Sequence, residues 1–331
     1  MGHEIRCLTL AMALRDRGVA VSFVTTGLQS EVRDFVVDPA PVHSRDIKRL
    51  PQEDSDALIA AARRTGASKV LIDHYGADEQ YFSELKNAGL IIGVIDDIAD
   101  RNLLAADWLL NQNIGADCLE VRAREDCEML LGPRYALLRP QFRRARAGLN
   151  RNFAAGDYRV LITLGGGDVT PLLVRTLKAL ANCPFRLDVR CLAGEGCDNA
   201  QLQRSIAESP HRVEVFGMTL DVAGHMVWAD LSINAGGMTC WELCCLGVPS
   251  LVMALSIDQL SNAERLSAAG IARNLPNPDS KQFDSVLATN MLDLLRSPDE
   301  RRHMSELARQ LVDGNGAERS AESFMNIVQT Q

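Results

Sequence analysis

The chain has 331 residues, of which 47% are hydrophobic and 24% charged, which is enough apolar material for two soluble domains of ordinary size. Its formal net charge of −8 argues against nucleic acid as the main partner, because a phosphate backbone requires a basic face. No apolar run approaches the roughly 20 residues of a membrane span, and no signal peptide is evident, so we predict a cytoplasmic protein without a membrane partner.

The nine cysteines are scattered over predicted helices and strands, and no CxxC pair has a matching partner. This distribution is typical of reduced, mostly buried thiols, and it predicts no metal site. Asp96 and Asp97 are acidic neighbours, but no third ligand accompanies them, and we interpret Asp97 as a turn or capping residue. We expect no cofactor, and the sequence leaves the oligomeric state open.

The first half of the chain alternates between helical and strand patterns. This alternation predicts a doubly wound, Rossmann-like domain, whose ligand crevice lies at the carboxyl ends of its strands. The chain opens on a helix, so we expect the strand and glycine loop that should precede this helix to be missing. The predicted elements are helices at 1–18, about 53–66 and about 78–89, and strands at 19–25, 69–73, 91–95 and 108–111.

A domain boundary is predicted near 135–142, and the basic, poorly periodic stretch 143–157 is interpreted as a linker. The two domains are therefore predicted at 1–142 and 158–331, with a ligand-binding cleft between them. The second domain shows the same alternation as the first. Its predicted elements are strands at 159–164, 186–192, 212–216 and 250–254, a helix at about 170–182 and a helical tail at about 280–329.

The most informative stretch is 230–243, which reads as a strand, a turn through Gly236 and Gly237, and a helix. Glycines allow a ligand to approach the backbone, and the start of a helix offers unpaired N–H groups to an anion such as phosphate. Glu242 lies one turn inside this helix, where its carboxylate is placed to accept hydrogen bonds from ribose hydroxyls. The alternative is an ordinary tight βα connection.

Other polar residues of the second domain fit a sugar nucleotide. The glycines at 165–167 with Asp168 suggest a phosphate-binding loop, although they match neither the P-loop nor the dinucleotide fingerprint. Arg139 is a cation suited to a diphosphate or a sugar, or alternatively to a salt bridge within the linker. Gln259 and Asn262 are suited to sugar hydroxyls, or alternatively to a helical N-terminal turn.

In the first domain, His3 lies at the start of a predicted helix, where the helix dipole should keep its ring neutral and suited to act as a general base. The alternative is a surface or capping histidine. Asp73 and Tyr75 follow a predicted buried strand and should point into the crevice. Asp73 is then placed to orient a base or a sugar hydroxyl, or alternatively to cap the next helix.

These motifs together resemble the PseG family, the UDP-sugar hydrolases of pseudaminic acid biosynthesis, which are related to SpsG proteins and to MurG-type glycosyltransferases. The likeness is collinear over nearly the whole chain. The similar blocks are Gly2-His3-x-x-Arg6-Cys7-Leu8, Ile72-Asp73-His74-Tyr75-Gly76, Asp96-Asp97, Leu110-Asn111-Gln112-Asn113, Leu131-Gly132-Pro133, Tyr135-Ala136-Leu137-Leu138-Arg139-Pro140, Leu164-Gly165-Gly166-x-Asp168, Ala235-Gly236-Gly237-Met238-Thr239, Trp241-Glu242 and Leu246-Gly247-Val248-Pro249.

This resemblance implies a GT-B-like fold and hydrolysis of UDP-2,4-diacetamido-2,4,6-trideoxy-β-L-altropyranose to UDP and free sugar. It implies that His3 activates the attacking water without a metal, with inversion at the anomeric carbon. UDP would bind the second domain. The substrate-binding residues expected on these grounds are Gly2, Arg6, Asp73, Tyr75, Arg139, Gly165, Gly166, Asp168, Gly236, Gly237, Thr239, Glu242, Gln259 and Asn262.

The sequence departs from the family pattern in two ways. The first strand and the leading glycine of the GxGH motif are absent from this sequence, as expected for a displaced start site or a truncated form. Met238 replaces a small polar residue. The competing interpretations are a MurG-like UDP-sugar glycosyltransferase and a non-catalytic nucleotide-sugar-binding protein.

Overall fold

The computed structural model describes residues 2–25, 35–39, 50–154, 156–165, 167–194, 200–217 and 219–328. The chain divides into two compact units, each built on parallel β-sheet. The first unit comprises Met1–Leu137 together with Asn315–Gln331, and the second comprises Leu138–Gly314. Within the described ranges, no helix has both the length and the apolar character needed to cross a bilayer.

The first unit contains a four-stranded parallel sheet in the order β3-β4-β6-β8, and separate two-stranded sheets of β1 with β2 and of β5 with β7. Strands β1 and β2 pair with each other, and their sheet is separate from the four-stranded one. The elements are α1 (Gly2–Arg15), β1 (Ser22–Thr25), β2 (Val36–Pro39), α2 (Gln52–Thr65), β3 (Lys69–Ile72), α3 (Glu79–Asn87), β4 (Ile91–Ile95), β5 (Asn102–Leu103), β6 (Trp108–Asn111), β7 (Arg122–Ala123) and β8 (Glu128–Leu131).

Strands β4 and β6 are buried along their whole length, as expected for parallel strands covered on both faces. Ile92 and Val94 pack in one core cluster with α3, whereas Ile95 and Trp108 pack in another with α1. Because the strands are parallel, the carboxyl ends of β3, β4 and β6 meet at one edge of the sheet, which brings the residues that follow each strand close together.

The second unit contains a six-stranded parallel sheet in the order β11-β10-β9-β12-β13-β14. Its elements are α4 (Pro140–Arg146), β9 (Tyr158–Thr163), α5 (Thr170–Leu180), β10 (Leu187–Leu192), α6 (Ala200–Ala207), β11 (Arg212–Phe216), α7 (Val222–Trp228), β12 (Leu231–Ala235), α8 (Thr239–Leu246), β13 (Ser250–Met253), α9 (Ile257–Ala268), β14 (Ala272–Asn274), α10 (Phe283–Arg296) and α11 (Pro298–Leu311).

The strand order reverses between β9 and β12. From β9 the chain adds β10 and β11 on one side, and it then returns to place β12 directly beside β9, with Asn234 opposite Thr163. In open parallel sheets the ligand crevice lies at such a reversal, outside the carboxyl ends of the strands. The loops that start at Leu164 and at Gly236 leave the sheet at this point.

The last helix, α12 (Gly316–Asn326), returns to the first unit. Trp108 on β6 donates a hydrogen bond to Ser323 Oγ at 2.8 Å and packs edge to face against Phe324, with ring centroids 5.3 Å apart. Lys69 on β3 donates to the carbonyl oxygen of Phe324 at 2.9 Å. The predicted domains, 1–142 and 158–331, therefore differ from these units, because no local pattern reveals where a terminal helix docks.

The long apolar strands were predicted well, and those predicted at 69–73, 91–95, 108–111 and 159–164 are confirmed within a residue or two. Strand β8 was missed because its residues alternate weakly. The predicted linker begins inside α4, and Arg146 at the end of this helix donates to the carbonyl oxygens of Cys245, Val312 and Arg309. This part of the stretch is thus anchored to the second unit.

Candidate functional site

The predicted residues of the first unit converge on one cluster. His3 and Arg6 are three residues apart on α1, so they lie on the same face of the helix. Asp73 directly follows β3, and Asp97 comes soon after β4, so the sheet brings both carboxylates to the same edge. Gly2 lies exposed at the first position of α1.

Arg6 forms the centre of this cluster, and its side chain is only 4% exposed. Its guanidinium binds both oxygens of Asp73, through Nε at 2.7 Å and Nη2 at 2.5 Å, and its Nη1 donates to Asp97 Oδ2 at 2.7 Å. Burial would raise the pKa of Asp73, but the hydrogen bonds from Arg6 and His3 outweigh it and hold that pKa at about 2. Asp73 is therefore ionised at neutral pH.

His3 uses this carboxylate as its support. Its Nδ1 lies 2.6 Å from Asp73 Oδ1, and an ionised carboxylate can only accept, so Nδ1 carries the proton. Arg6 Nη2 also lies 3.1 Å from Nδ1, but two donors cannot bond to each other. In the neutral ring Nε2 is then the unprotonated nitrogen. The His3 side chain is 45% exposed while that of Asp73 is 4% exposed, which is the arrangement of a general base oriented by a buried acid.

Tyr75 and Asp97 complete the cluster. The Tyr75 ring lies edge to face with His3, with centroids 5.1 Å apart and planes at 88°, and its hydroxyl donates to Asp97 Oδ2 at 3.1 Å. Asp97 lies at a bend after β4, as its interpretation as a turn residue expects, and its carboxylate also accepts hydrogen bonds from Arg6, Tyr75 and Asn113. Asp73 does not cap the next helix, since Asp78 caps α3.

Among the described residues, no group of three or more His, Cys, Asp or Glu side chains is placed to hold a metal ion.

The glycine turn after β12 is the centre of the second cluster. Gly236 donates its N–H to the carbonyl oxygen of Met253 at 2.8 Å, and a Cβ added at Gly236 would lie 3.0 Å from the backbone oxygen of Gln259. A side chain there would press against the start of α9, so glycine permits this close approach. The Nε2 of Gln259 would lie 3.6 Å from a Cβ at Gly237, so the predicted sugar-binding amide rests against the turn.

The helix start offers fewer unpaired amides than expected. The N–H groups of Cys240 and Trp241 already donate to the carbonyl oxygens of Gly237 and Met238, each at 3.0 Å. Thr239 is the first residue of α8. With the N–H of Gly236, which donates to Met253, three backbone amides around the turn are thus already used within the protein.

Glu242 and Arg139 face each other, with Arg139 Nη2 3.4 Å from Glu242 Oε1. Arg139 immediately precedes α4, so its partner is not in the linker but on α8. Burial raises the pKa of Glu242 to about 7, while the charge and hydrogen bond of Arg139 act in the opposite direction. Near neutral pH this carboxyl group can therefore accept or donate a hydrogen bond.

The loop after β9 provides a further part of the same sheet edge. Gly165 has φ +108°, a conformation that favours glycine. Asp168 Oδ1 accepts from the N–H of Thr170 at 3.1 Å at the start of α5, so in this structure the carboxylate serves the helix terminus. Gly166 lies outside the described residues. Asn262 is only 6% exposed, one turn beyond the start of α9, which places it in the interior rather than at the turn.

The chain is similar in sequence and fold to known proteins. The model of the glycosyltransferase family 28 C-terminal domain matches residues 161–322. A UDP-N-acetylglucosamine–N-acetylmuramyl-(pentapeptide) pyrophosphoryl-undecaprenol N-acetylglucosamine transferase of Xanthomonas axonopodis pv. citri is 34% identical over 345 aligned residues, covering 98% of this chain and 79% of that protein. The chain belongs to glycosyltransferase family 28. Its GT-B-like fold, predicted from the sequence, is confirmed.

Two further similarities cover nearly the whole chain. The spore coat polysaccharide biosynthesis protein SpsG of Bacillus subtilis is 24% identical over 319 residues, which is 96% of this chain and 91% of SpsG. The crystal structure of Acinetobacter baumannii MurG has a TM-score of 0.72 at 18% identity, covering 98% of this chain and 96% of MurG, and it supports the fold alone. None of these three proteins is named a hydrolase.

The Arg139–Glu242 pair predicts a pH-dependent stability. Because the folded-state pKa of Glu242 is raised to about 7, above its ordinary value of 4.5, the unfolded state releases this proton first, and stability falls as pH rises between these values. Arg139→Ala should raise this pKa further and extend the loss to higher pH. Urea unfolding should therefore show a larger destabilisation at pH 8.5 than at pH 6, by roughly 1 kcal/mol.

Arg144→Ala is the matched control, since Arg144 is an exposed arginine on α4, the helix that Arg139 immediately precedes. This substitution should change the free energy of unfolding only slightly, and by the same amount at pH 6 and pH 8.5. An Arg139→Ala protein whose destabilisation is the same at pH 6 and pH 8.5 would show that Arg139 does not act through Glu242.

Proposed function

We propose that this protein transfers a sugar from a UDP-sugar donor to an acceptor hydroxyl. The match to family 28 carries this proposal, because it includes the candidate nucleotide-binding residues between Gly165 and Asn262, although not Arg139. The Xanthomonas relative, which aligns with nearly the whole chain, is named for transfer from UDP-N-acetylglucosamine. A UDP-linked N-acetylated amino sugar is therefore the donor class to test first.

The second unit would hold the nucleotide. Glu242 is a nearly buried carboxyl group one turn inside α8, and it is suited to pair with the two vicinal hydroxyls of a ribose. Arg139, 3.4 Å away, supplies the positive charge that a diphosphate requires, and the turn at Gly236 and Gly237 allows an anion to approach the backbone. Gln259 lies against this turn and would meet the sugar.

The first unit would supply the base. The acceptor oxygen attacks the anomeric carbon as its proton passes to Nε2 of His3, and the bond between that carbon and the phosphate oxygen breaks with its electron pair leaving on UDP. Asp73 stabilises the imidazolium that results, because it is ionised and already holds Nδ1–H. UDP is a good leaving group once positively charged or hydrogen-bonding groups stabilise its negative charge, so this scheme requires no metal.

Hydrolysis of the UDP-sugar is the second candidate. It is favoured by the Gly2-His3-x-x-Arg6-Cys7-Leu8 motif and by the side chain of His3, which is 45% exposed and therefore open to water. The chemistry is the same, with water in place of the acceptor hydroxyl. The two candidates differ only in which hydroxyl reaches the base.

Product analysis separates these functions. The purified protein is incubated with UDP-N-acetylglucosamine, and in parallel with UDP-linked 2,4-diacetamido-2,4,6-trideoxy sugars, with and without the lipid-linked N-acetylmuramyl pentapeptide. A transferase should release UDP at least about tenfold faster with the acceptor, and mass spectrometry should show the extended acceptor. Release of UDP and free sugar at the same rate without an acceptor would instead identify a hydrolase. UDP binding without turnover of any of these sugars would contradict both.

His3→Ala should lower turnover by at least about 100-fold, because the proton acceptor is lost. Its affinity for UDP, measured by calorimetry, should stay within about twofold of the unmodified protein, since the nucleotide residues are untouched. His303→Ala is the control, because His303 is exposed on α11. Retention of full turnover by His3→Ala would remove His3 from the mechanism.

Glu242→Ala should weaken UDP binding by about 1–3 kcal/mol through the lost hydrogen bonds to ribose. The matched ligand is 2′,3′-dideoxyuridine diphosphate, which lacks both hydroxyls. In the unmodified protein UDP should bind more tightly than this analogue, and in Glu242→Ala the difference should vanish. An unchanged difference would mean that Glu242 contacts another part of the nucleotide or none of it.

A further inference from the structure

Asp97 is the residue of the first cluster that the sequence did not suggest for a functional role. Its side chain is 14% exposed, and it lies beyond the carboxyl end of β4. Oδ2 accepts from Arg6 Nη1 at 2.7 Å and from the Tyr75 hydroxyl at 3.1 Å, and Oδ1 accepts from Asn113 Nδ2 at 3.3 Å. One carboxylate therefore ties together α1 and the segments that follow β3, β4 and β6.

Two routes lead from Asp97 to His3. The first route passes through Arg6. Asp97 fixes its guanidinium at Nη1, the Nε and Nη2 of the same group hold Asp73, and Asp73 in turn holds His3 Nδ1. Through the Tyr75 hydroxyl, Asp97 fixes the ring that lies edge to face against His3. The imidazole is thus held both at one ring nitrogen and by an aromatic neighbour, and both contacts depend on Asp97.

The exposures show why a second carboxylate is needed. Tyr75 is 41% exposed, and its hydroxyl bond to Asp97 joins the contacts of its ring with His3 and Arg101 in orienting it. Arg6 is 4% exposed, so loss of Asp97 would leave Nη1 buried without this acceptor and allow the guanidinium to reorient away from Asp73. Asp97 itself does not contact His3 in any described hydrogen bond or ion pair, so it acts through its two partners.

We propose that Asp97 is a positioning residue, which holds His3 in its reactive orientation by fixing Arg6 and Tyr75 at the same time. The proposal rests on the proposed function in one respect, since it takes His3 as the base. It goes further in assigning a role to a carboxylate that neither binds the nucleotide nor accepts the transferred proton.

The test combines kinetics with a measurement on His3 that needs no turnover. Asp97→Ala should lower kcat by about tenfold to 100-fold while KM and the Kd for UDP change by less than about twofold, as for other partners that orient a reacting group. In ¹⁵N-histidine-labelled protein, the Nδ1–H signal of His3, held by Asp73 in the unmodified protein, should broaden or disappear. Asp97→Asn keeps an acceptor oxygen and should recover part of both effects.

Two further variants keep the test decisive. Tyr75→Phe removes only the exposed hydroxyl, and it should lower kcat less than Asp97→Ala without affecting folding. If Asp97→Ala does not fold, an unchanged kcat and His3 signal in Tyr75→Phe overturns the proposal. Asp100→Ala is the charge-matched control, because Asp100 is exposed three residues further along, and it should leave kcat and the His3 signal unchanged.

The outcomes distinguish this inference from the proposed function. A folded Asp97→Ala protein with a lower melting temperature but unchanged kcat and His3 signal has lost only stability, and this result overturns the positioning role. If the unmodified protein turns over no UDP-sugar, the proposed function fails. The Nδ1–H signal still decides the role of Asp97 in that case, since its loss in Asp97→Ala supports the role and its persistence overturns it.

Discussion

The buried guanidinium of Arg6 is the interaction on which the N-terminal site depends. A buried ion pair is stabilising only when its geometry is good and its donors are satisfied, because removing charges from water is costly. Arg6 meets this condition with three donated hydrogen bonds to two carboxylates at neighbouring strand ends. Without it, burial would act to raise the pKa of Asp73 against the hydrogen bond and charge of His3 alone, and the ionised partner that fixes the His3 tautomer would be less well supported.

The two units place carboxyl groups in contrasting environments. Asp73 has a bidentate arginine at 2.5–2.7 Å and stays charged, whereas Glu242 has one arginine contact at 3.4 Å and a pKa of about 7. Environments that separate pKa values in this way also separate roles. A permanently charged group suits the support of a base, and a group that changes protonation near neutral pH suits hydrogen bonding to hydroxyls that both donate and accept.

Much of the fold could be predicted because several strands are continuous apolar runs, a signal that can be read from the local sequence alone. The residues of the candidate site were named from the sequence, but their contacts with one another were not. His3, Arg6 and Asp73 were each expected, yet their mutual contacts span about 70 residues of sequence, and the Arg139–Glu242 contact spans 103. Asp97 was missed because a single acid after a strand is usually a turn residue. The choice between hydrolysis and transfer escapes sequence reasoning for a chemical reason, since one base serves water and sugar hydroxyls alike.

The return of α12 to the first unit has a consequence for how the chain folds during synthesis. Phe324 and Ser323 complete the packing around Trp108, more than 200 residues earlier in the chain. The second unit is continuous and can fold as soon as it leaves the ribosome, but the first cannot finish its core until α12 has been synthesised. The first unit, although its earliest residues are made first, therefore completes its core later than the second, and the apolar surface around Trp108 stays uncovered until α12 has been made.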